Sequence, residues 1–135
     1  MPMSKKKNQW THITLRIFGT FEIGAITKSL NIQPTESFAK GDLFVPGDKK
    51  SARKESDGWL FDFECADLST SIENLNSFLQ FLSKKQPDLA TVLKQGKVRG
   101  DLYVSIGGNS SFSVPFKILE DISKLGLGLT LNFYP

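Results

Sequence analysis

The chain has 135 residues, 39% of them hydrophobic and 23% charged, a length and balance that fit one globular domain and exclude a disordered or fibrous polymer. No apolar run approaches the roughly 18 residues that a bilayer-crossing helix needs, so no membrane partner is expected. One cysteine and one histidine exclude an internal disulfide and a zinc site made of Cys and His alone, and no cofactor is expected.

The net charge of +3 is located in one place. Lys5, Lys6 and Lys7 make up the whole difference between the 17 basic and 14 acidic residues. Residues 1–8 are therefore expected to be a disordered basic tail, and residues 9–135 a near-neutral single domain. Such a body does not predict nucleic acid as a partner: stacking on bases needs exposed aromatics interleaved with cations. Only Trp10, Phe18 and Tyr103 stand ready on a polar face. No apolar segment follows the lysines as in a secretory leader, and Cys65 has no mate, so the reducing cytoplasm is the expected compartment.

From Gln9 to Phe18 the sequence alternates, with Ile13, Leu15 and Ile17 on one side and Trp10, His12, Thr14, Arg16 and Phe18 on the other. That period of two predicts a strand with one buried face. Ile23, Ile26 and Leu30 then recur at helical spacing, Asn31 suits the helix C-cap, and Pro34 forbids continuation. An extended segment follows to Phe38. A long loop at about 42–57 carries mixed charges that nearly cancel, which predicts a solvated flap rather than a phosphate clamp.

Trp59, Phe61, Phe63 and Cys65 alternate with Leu60, Asp62 and Glu64. This aromatic strand is expected at the centre of the sheet, with Cys65 as a small buried hydrophobe. Thr70 and Glu73 form a capping-box pair ahead of Ile72, Leu75, Phe78, Leu79 and Leu82. Pro87 opens a shorter helix that Gly96 closes. Leu102, Val104 and Ile106 oppose Tyr103 and Ser105 in the next strand. Gly107-Gly108-Asn109 predicts a turn, with a short return strand around Ser111 to Val114. Pro115 opens a helix through Leu125, and Leu127 to Phe133 alternates as a final strand. The fold class this predicts is α+β: a single-layer, mostly antiparallel sheet with helices on one face, on a pseudo-duplicated, ferredoxin-like plan.

Helices confined to one face leave the other to His12, Thr14, Arg16, Asp62, Glu64, Tyr103, Ser105, Thr130 and Asn132. An antiparallel sheet tolerates such a wet face, and its plain use is solvation, with Arg16 paired to Asp62 or Glu64 across strands. Its functional use is a polar recognition platform. Asp62 and Glu64, two apart on one strand, project together and have the chemistry to share a proton or hold a cation. His12 is the one neutral-pH base, yet no nucleophile motif accompanies it.

Several segments carry a resemblance. Thr14-Leu15-Arg16-Ile17-Phe18-Gly19, Ile26-Thr27-Lys28-Ser29-Leu30-Asn31-Ile32-Gln33-Pro34-Thr35, Lys40-Gly41-Asp42 and a strand opened by Trp59 together resemble the bacterial family catalogued as domain of unknown function 4279. The likeness is closest from Thr11 to Leu60. It implies a small stand-alone bacterial cytoplasmic domain with no established activity or cofactor. Were Arg16, Thr35, Lys40 and Trp59 to meet in space, they would line a positively charged pocket.

The expected function is a non-enzymatic binding module acting through a protein partner, in the manner of an immunity protein. The alternative is a binder of a small anionic ligand, with Arg16, Lys40 and Trp59 as contacts. An enzyme using His12 with Asp62 or Glu64 is the third reading.

Overall fold

The structure is a computed structural model that describes residues 10–66, 69–108 and 112–134. Its elements in chain order are β1 (Trp10–Gly19), α1 (Ile23–Leu30), β2 (Glu36–Phe38), β3 (Asp57–Phe63), α2 (Ser71–Ser83), α3 (Gln86–Leu93), β4 (Val98–Gly107), α4 (Phe116–Lys124) and β5 (Gly128–Tyr134). The basic tail lies outside the described residues, as does Asn109 of the expected turn.

The strands form one open sheet in the order β2-β3-β1-β4-β5. All neighbours are antiparallel except β4 and β5, which run parallel. Parallel neighbours require a crossover rather than a hairpin, and α4 supplies it. The α+β class and mostly antiparallel sheet are therefore as expected from the alternation. The element order has two helices and one strand more than a β-α-β-β-α-β ferredoxin-like plan. No strand forms at Phe112 to Val114, where a return strand was expected; Pro115 instead caps α4. The central strand is β1, not the aromatic β3, which lies one place toward the edge.

Period-two burial sorts β1 and the middle of β4. Ile13, Leu15 and Ile17 of β1 and Leu102, Val104 and Ile106 of β4 face inward. Each of the helices contributes to the same core: Ile26 and Leu30, then Leu75, Phe78, Leu79 and Leu82, then Leu89 and Val92, then Ile118 and Ile122. Trp59 is wholly buried among them, its indole N–H donating to Thr27 Oγ1 at 3.0 Å. The Phe63 and Phe78 rings stack at 4.6 Å, joining β3 to α2.

Local chemistry ends the helices where expected. Asn31 takes the left-handed conformation, φ 54°, as the C-cap of α1. Thr70 Oγ1 accepts from the Glu73 N–H at 3.1 Å while Glu73 Oε1 accepts from the Thr70 N–H at 2.7 Å, a closed capping box. The long loop is a largely exposed arm held by its own backbone hydrogen bonds. Backbone hydrogen bonds pair Gly41 with Lys54, Asp42 with Lys54 and Phe44 with Ala52. The Lys54 ammonium sits 4.1 Å and 4.0 Å from the Phe38 and Phe44 ring centres. The arm joins the sheet at the Phe38 end, where the Phe38 ring lies over Gly58.

Candidate functional site

The outward side chains of β1, β3, β4 and β5 make a grid whose rows follow from the register. One row reads Asp62, Thr14, Tyr103, Thr130; the next reads His12, Ser105, Asn132; the last reads Trp10, Gly107, Tyr134. A concavity of about 460 Å³ opens over these rows, lined by Trp10, His12, Thr14 and Asp62 on one side and Tyr103, Ser105 and Tyr134 on the other. No residue of the four helices or of the 39–56 arm lines it.

A missing side chain shapes one end. A Cβ at Gly107 would collide with the Trp10 indole, so the glycine lets that ring lie over β4 and reach Tyr134, 5.4 Å away between centroids. The His12 ring meets the indole edge-on at 5.2 Å. Asn132 Nδ2 donates to both the Tyr103 and Tyr134 hydroxyls at 2.7 Å, which fixes two phenols beside each other. Hydrogen bonding with Ser105 and Asn132, helped by Tyr134 and the positive charge of Arg16, holds the Tyr103 phenol below the ordinary tyrosine value.

Arg16 borders the concavity without lining it. Its Nε and Nη2 donate to the two Asp101 oxygens at 2.8 and 2.7 Å, and Thr130 Oγ1 donates to the same carboxylate at 2.6 Å. The guanidinium lies 4.3 Å from the Tyr103 ring centre and 5.4 Å from that of Phe18. The hydrogen bond to Asp101 raises the Arg16 pKa further. Burial alone would raise the Asp101 carboxyl, but hydrogen bonds from Arg16 and Thr130 and the charges of Arg16 and Arg99 outweigh it, so the carboxyl is held below its ordinary value.

The expected partner of Arg16 was Asp62 or Glu64, and the register corrects this: Arg16 stands opposite Leu60 on β3 and opposite Asp101 on β4. Asp62 instead accepts from Thr14 Oγ1 at 2.7 Å. Glu64 falls just beyond β3, is exposed, and does not line the concavity. His12, Asp62 and Tyr103 do share it.

The positively charged pocket of Arg16, Thr35, Lys40 and Trp59 is not assembled. Trp59 belongs to the inward set of β3, so it occupies the opposite face from Arg16. Thr35 works at the sheet margin, its N–H donating to the Leu60 carbonyl at 2.7 Å and its Oγ1 accepting from the Asp62 N–H at 2.9 Å. Lys40 lies in a tight turn at the far end, where its N–H donates to Asp57 Oδ1 at 2.9 Å. Backbone hydrogen bonds from Phe21 and Lys40 lower the Asp57 carboxyl.

Two members of the face escaped the sequence reading, Asp101 and Tyr134. The signal for both was the alternation already in use: Asp101 precedes Tyr103 by two, and Tyr134 follows Asn132 by two. Cys65 is half-buried and its thiol is pushed up by that burial, which suits a packing residue.

Among the described residues no group of three or more His, Cys, Asp or Glu side chains converges to hold a metal ion, and no helix is long and apolar enough to cross a membrane. No curated protein and no solved structure matches the chain. The family described as Domain of unknown function (DUF4279) matches residues 8–135, nearly the entire sequence, and the chain belongs to that family.

Proposed function

We propose that the protein is a non-enzymatic interaction module of the bacterial cytoplasm that receives a protein partner on the open face of its sheet. The carrying observation is the concavity between Trp10 and Asp62, broad and roofless, lined by aromatic rings and hydroxyls. Rings with one polar end suit a protein interface, where they bury apolar area and still hydrogen-bond. Trp10 and Tyr134 are each more than two-fifths exposed and pack together at one end of the open face. An immunity-protein-like role, in which such a face occludes the partner's own site, is the specific form of this reading.

An anion site is less favoured, because Asp101 already neutralises Arg16 and Lys40 stands at the opposite end. Acid–base catalysis is less favoured too: among the described residues no hydrogen bond joins His12 to a carboxylate, and its ring packs on an indole edge.

The test is partner capture from a bacterial host, comparing the native chain with Trp10→Ala/Tyr134→Ala and with a helix-side control, Lys117→Glu. The expected result is a protein retained by the native chain and the control but lost from the face variant. Retention of the same proteins by all three chains would overturn the proposal.

A further inference from the structure

Resting on that reading, the geometry points to the chemistry of the group received: the concavity takes a basic side chain, arginine or lysine, of the partner, with Asp62 as its counter-ion. Asp62 lines the concavity, and among the described residues its carboxylate accepts one side-chain hydrogen bond, from Thr14, and forms no ion pair. The cation nearest in sequence logic, Arg16, is closed off by two hydrogen bonds to Asp101. A carboxylate accepts several hydrogen bonds, and those from a cation are the strong ones.

The walls agree with a long basic side chain. Trp10 and Tyr134 line the end away from Asp62, where they would pack on its stem, and Tyr103 stands across Thr14 from Asp62. The chain already seats a cation on a ring beside the concavity, where the Arg16 guanidinium rests 4.3 Å from the Tyr103 ring centre. Apart from Arg16, which Asp101 neutralises, the cations of this side of the sheet lie elsewhere: Arg99 beside Phe18 and Lys54 on Phe38. The Asp62 end is thus the end that complements a positive group.

The occupant is a side chain rather than a free cation because of the shape. From Thr14 to Trp10 the floor runs about 13 Å along β1, longer than an ammonium or guanidinium group and open along its length. A long aliphatic stem crossing Thr14 and His12 would fill the floor toward Trp10 while its charged end met Asp62.

The experiment uses the full chain and proton–nitrogen correlation NMR, titrated with N-acetyl-arginine methylamide, its lysine and citrulline counterparts, and the peptide Gly-Ser-Arg-Ser-Gly. Citrulline keeps the shape of arginine without its charge. The expected result is movement of the Trp10 indole and the Thr14 and Tyr103 amide signals with arginine and lysine, and binding at least about fivefold weaker with citrulline. Asp62→Asn, whose amide oxygen still accepts from Thr14, should weaken the arginine compound about tenfold with the rest of the spectrum unchanged, and Asp62→Glu should restore part of it. The peptide should bind more tightly than the single blocked residue. Equal binding of citrulline and arginine, indifference to Asp62→Asn, or no movement with either cation would overturn the inference. Guanidinium ion alone binding as tightly as the peptide would overturn the partner side chain as its source. These failures leave the capture result above untouched, whereas loss of face-dependent capture overturns the module itself.

Discussion

Arg16 and Asp101 stand directly opposite each other on β1 and β4 and share two hydrogen bonds, with the Tyr103 ring closing one side of the guanidinium and Thr130 donating to the carboxylate oxygen that also accepts from Nη2. The two side chains are only 25% and 20% exposed. The pair therefore lies between the weak surface case and the fully buried one. It gives the open face a rigid, neutral midsection.

Removing one partner should cost more than removing both. Asp101→Asn is expected to destabilise the fold by about 1–3 kcal/mol, because the guanidinium loses its charged acceptor while staying half-covered. Asp101→Asn combined with Arg16→Gln should recover part of that loss. Urea unfolding of the singles and the double gives the coupling, and simple addition of the two single losses would refute it.

The same pair sets an acid limit. In the folded chain the Asp101 carboxyl titrates below its ordinary value, so on acidification the unfolded chain takes up its proton first. The stabilisation is complete above about pH 4, the unfolded value, and is lost as the pH falls through the lower folded one. Asp57 and Glu73, also lowered by backbone hydrogen bonds, share this direction. Thermal midpoints measured between neutral and strongly acid pH should fall for the native chain, and less steeply for Asp101→Asn.

The two tryptophans should behave as opposites. Trp59 is 0% exposed and hydrogen-bonded to Thr27, whereas Trp10 is 42% exposed. Trp59→Ala should cost about 3–5 kcal/mol through the cavity it leaves. Trp10→Ala should stay within about 1 kcal/mol of the native chain while abolishing partner capture. Denaturation midpoints and capture, measured on both variants, check the contrast.

Gly107→Val tests the floor beneath Trp10. The added side chain must displace the indole, at a cost of about 1–3 kcal/mol, and should erase the ring-current shift on the His12 protons that the edge-on contact produces. An unchanged His12 resonance would show that the indole does not need the gap.

Much of this was legible in the residues, and the boundary has a physical reason. Alternation alone separated Ile13, Leu15 and Ile17 from His12, Thr14 and Arg16, because the pleat admits only two sides. Capping chemistry placed Asn31 and the Thr70–Glu73 box from local bonds. Which strands become neighbours is a long-range matter, however, and no local pattern says that Arg16 meets Asp101, 85 residues on, rather than Asp62. The expected pocket with Trp59 failed on the same alternation that succeeded elsewhere: Trp59 shares its side with Phe61 and Phe63, away from Arg16. The parallel pairing of β5 was hidden too, since Phe112 to Val114 carried enough β-branched and aromatic character to suggest a hairpin.

Contact between the Trp10 and Tyr134 rings brings the start of β1 and the end of β5 together at one end of the sheet. A bulky label attached at Trp10 or Tyr134 would compete with whatever docks in the groove. Gly47, in the arm that joins the Phe38 end, offers a quieter place for a label. A circular permutant sealed across the Trp10–Tyr134 corner and cut open at Gly47 should keep its groove intact.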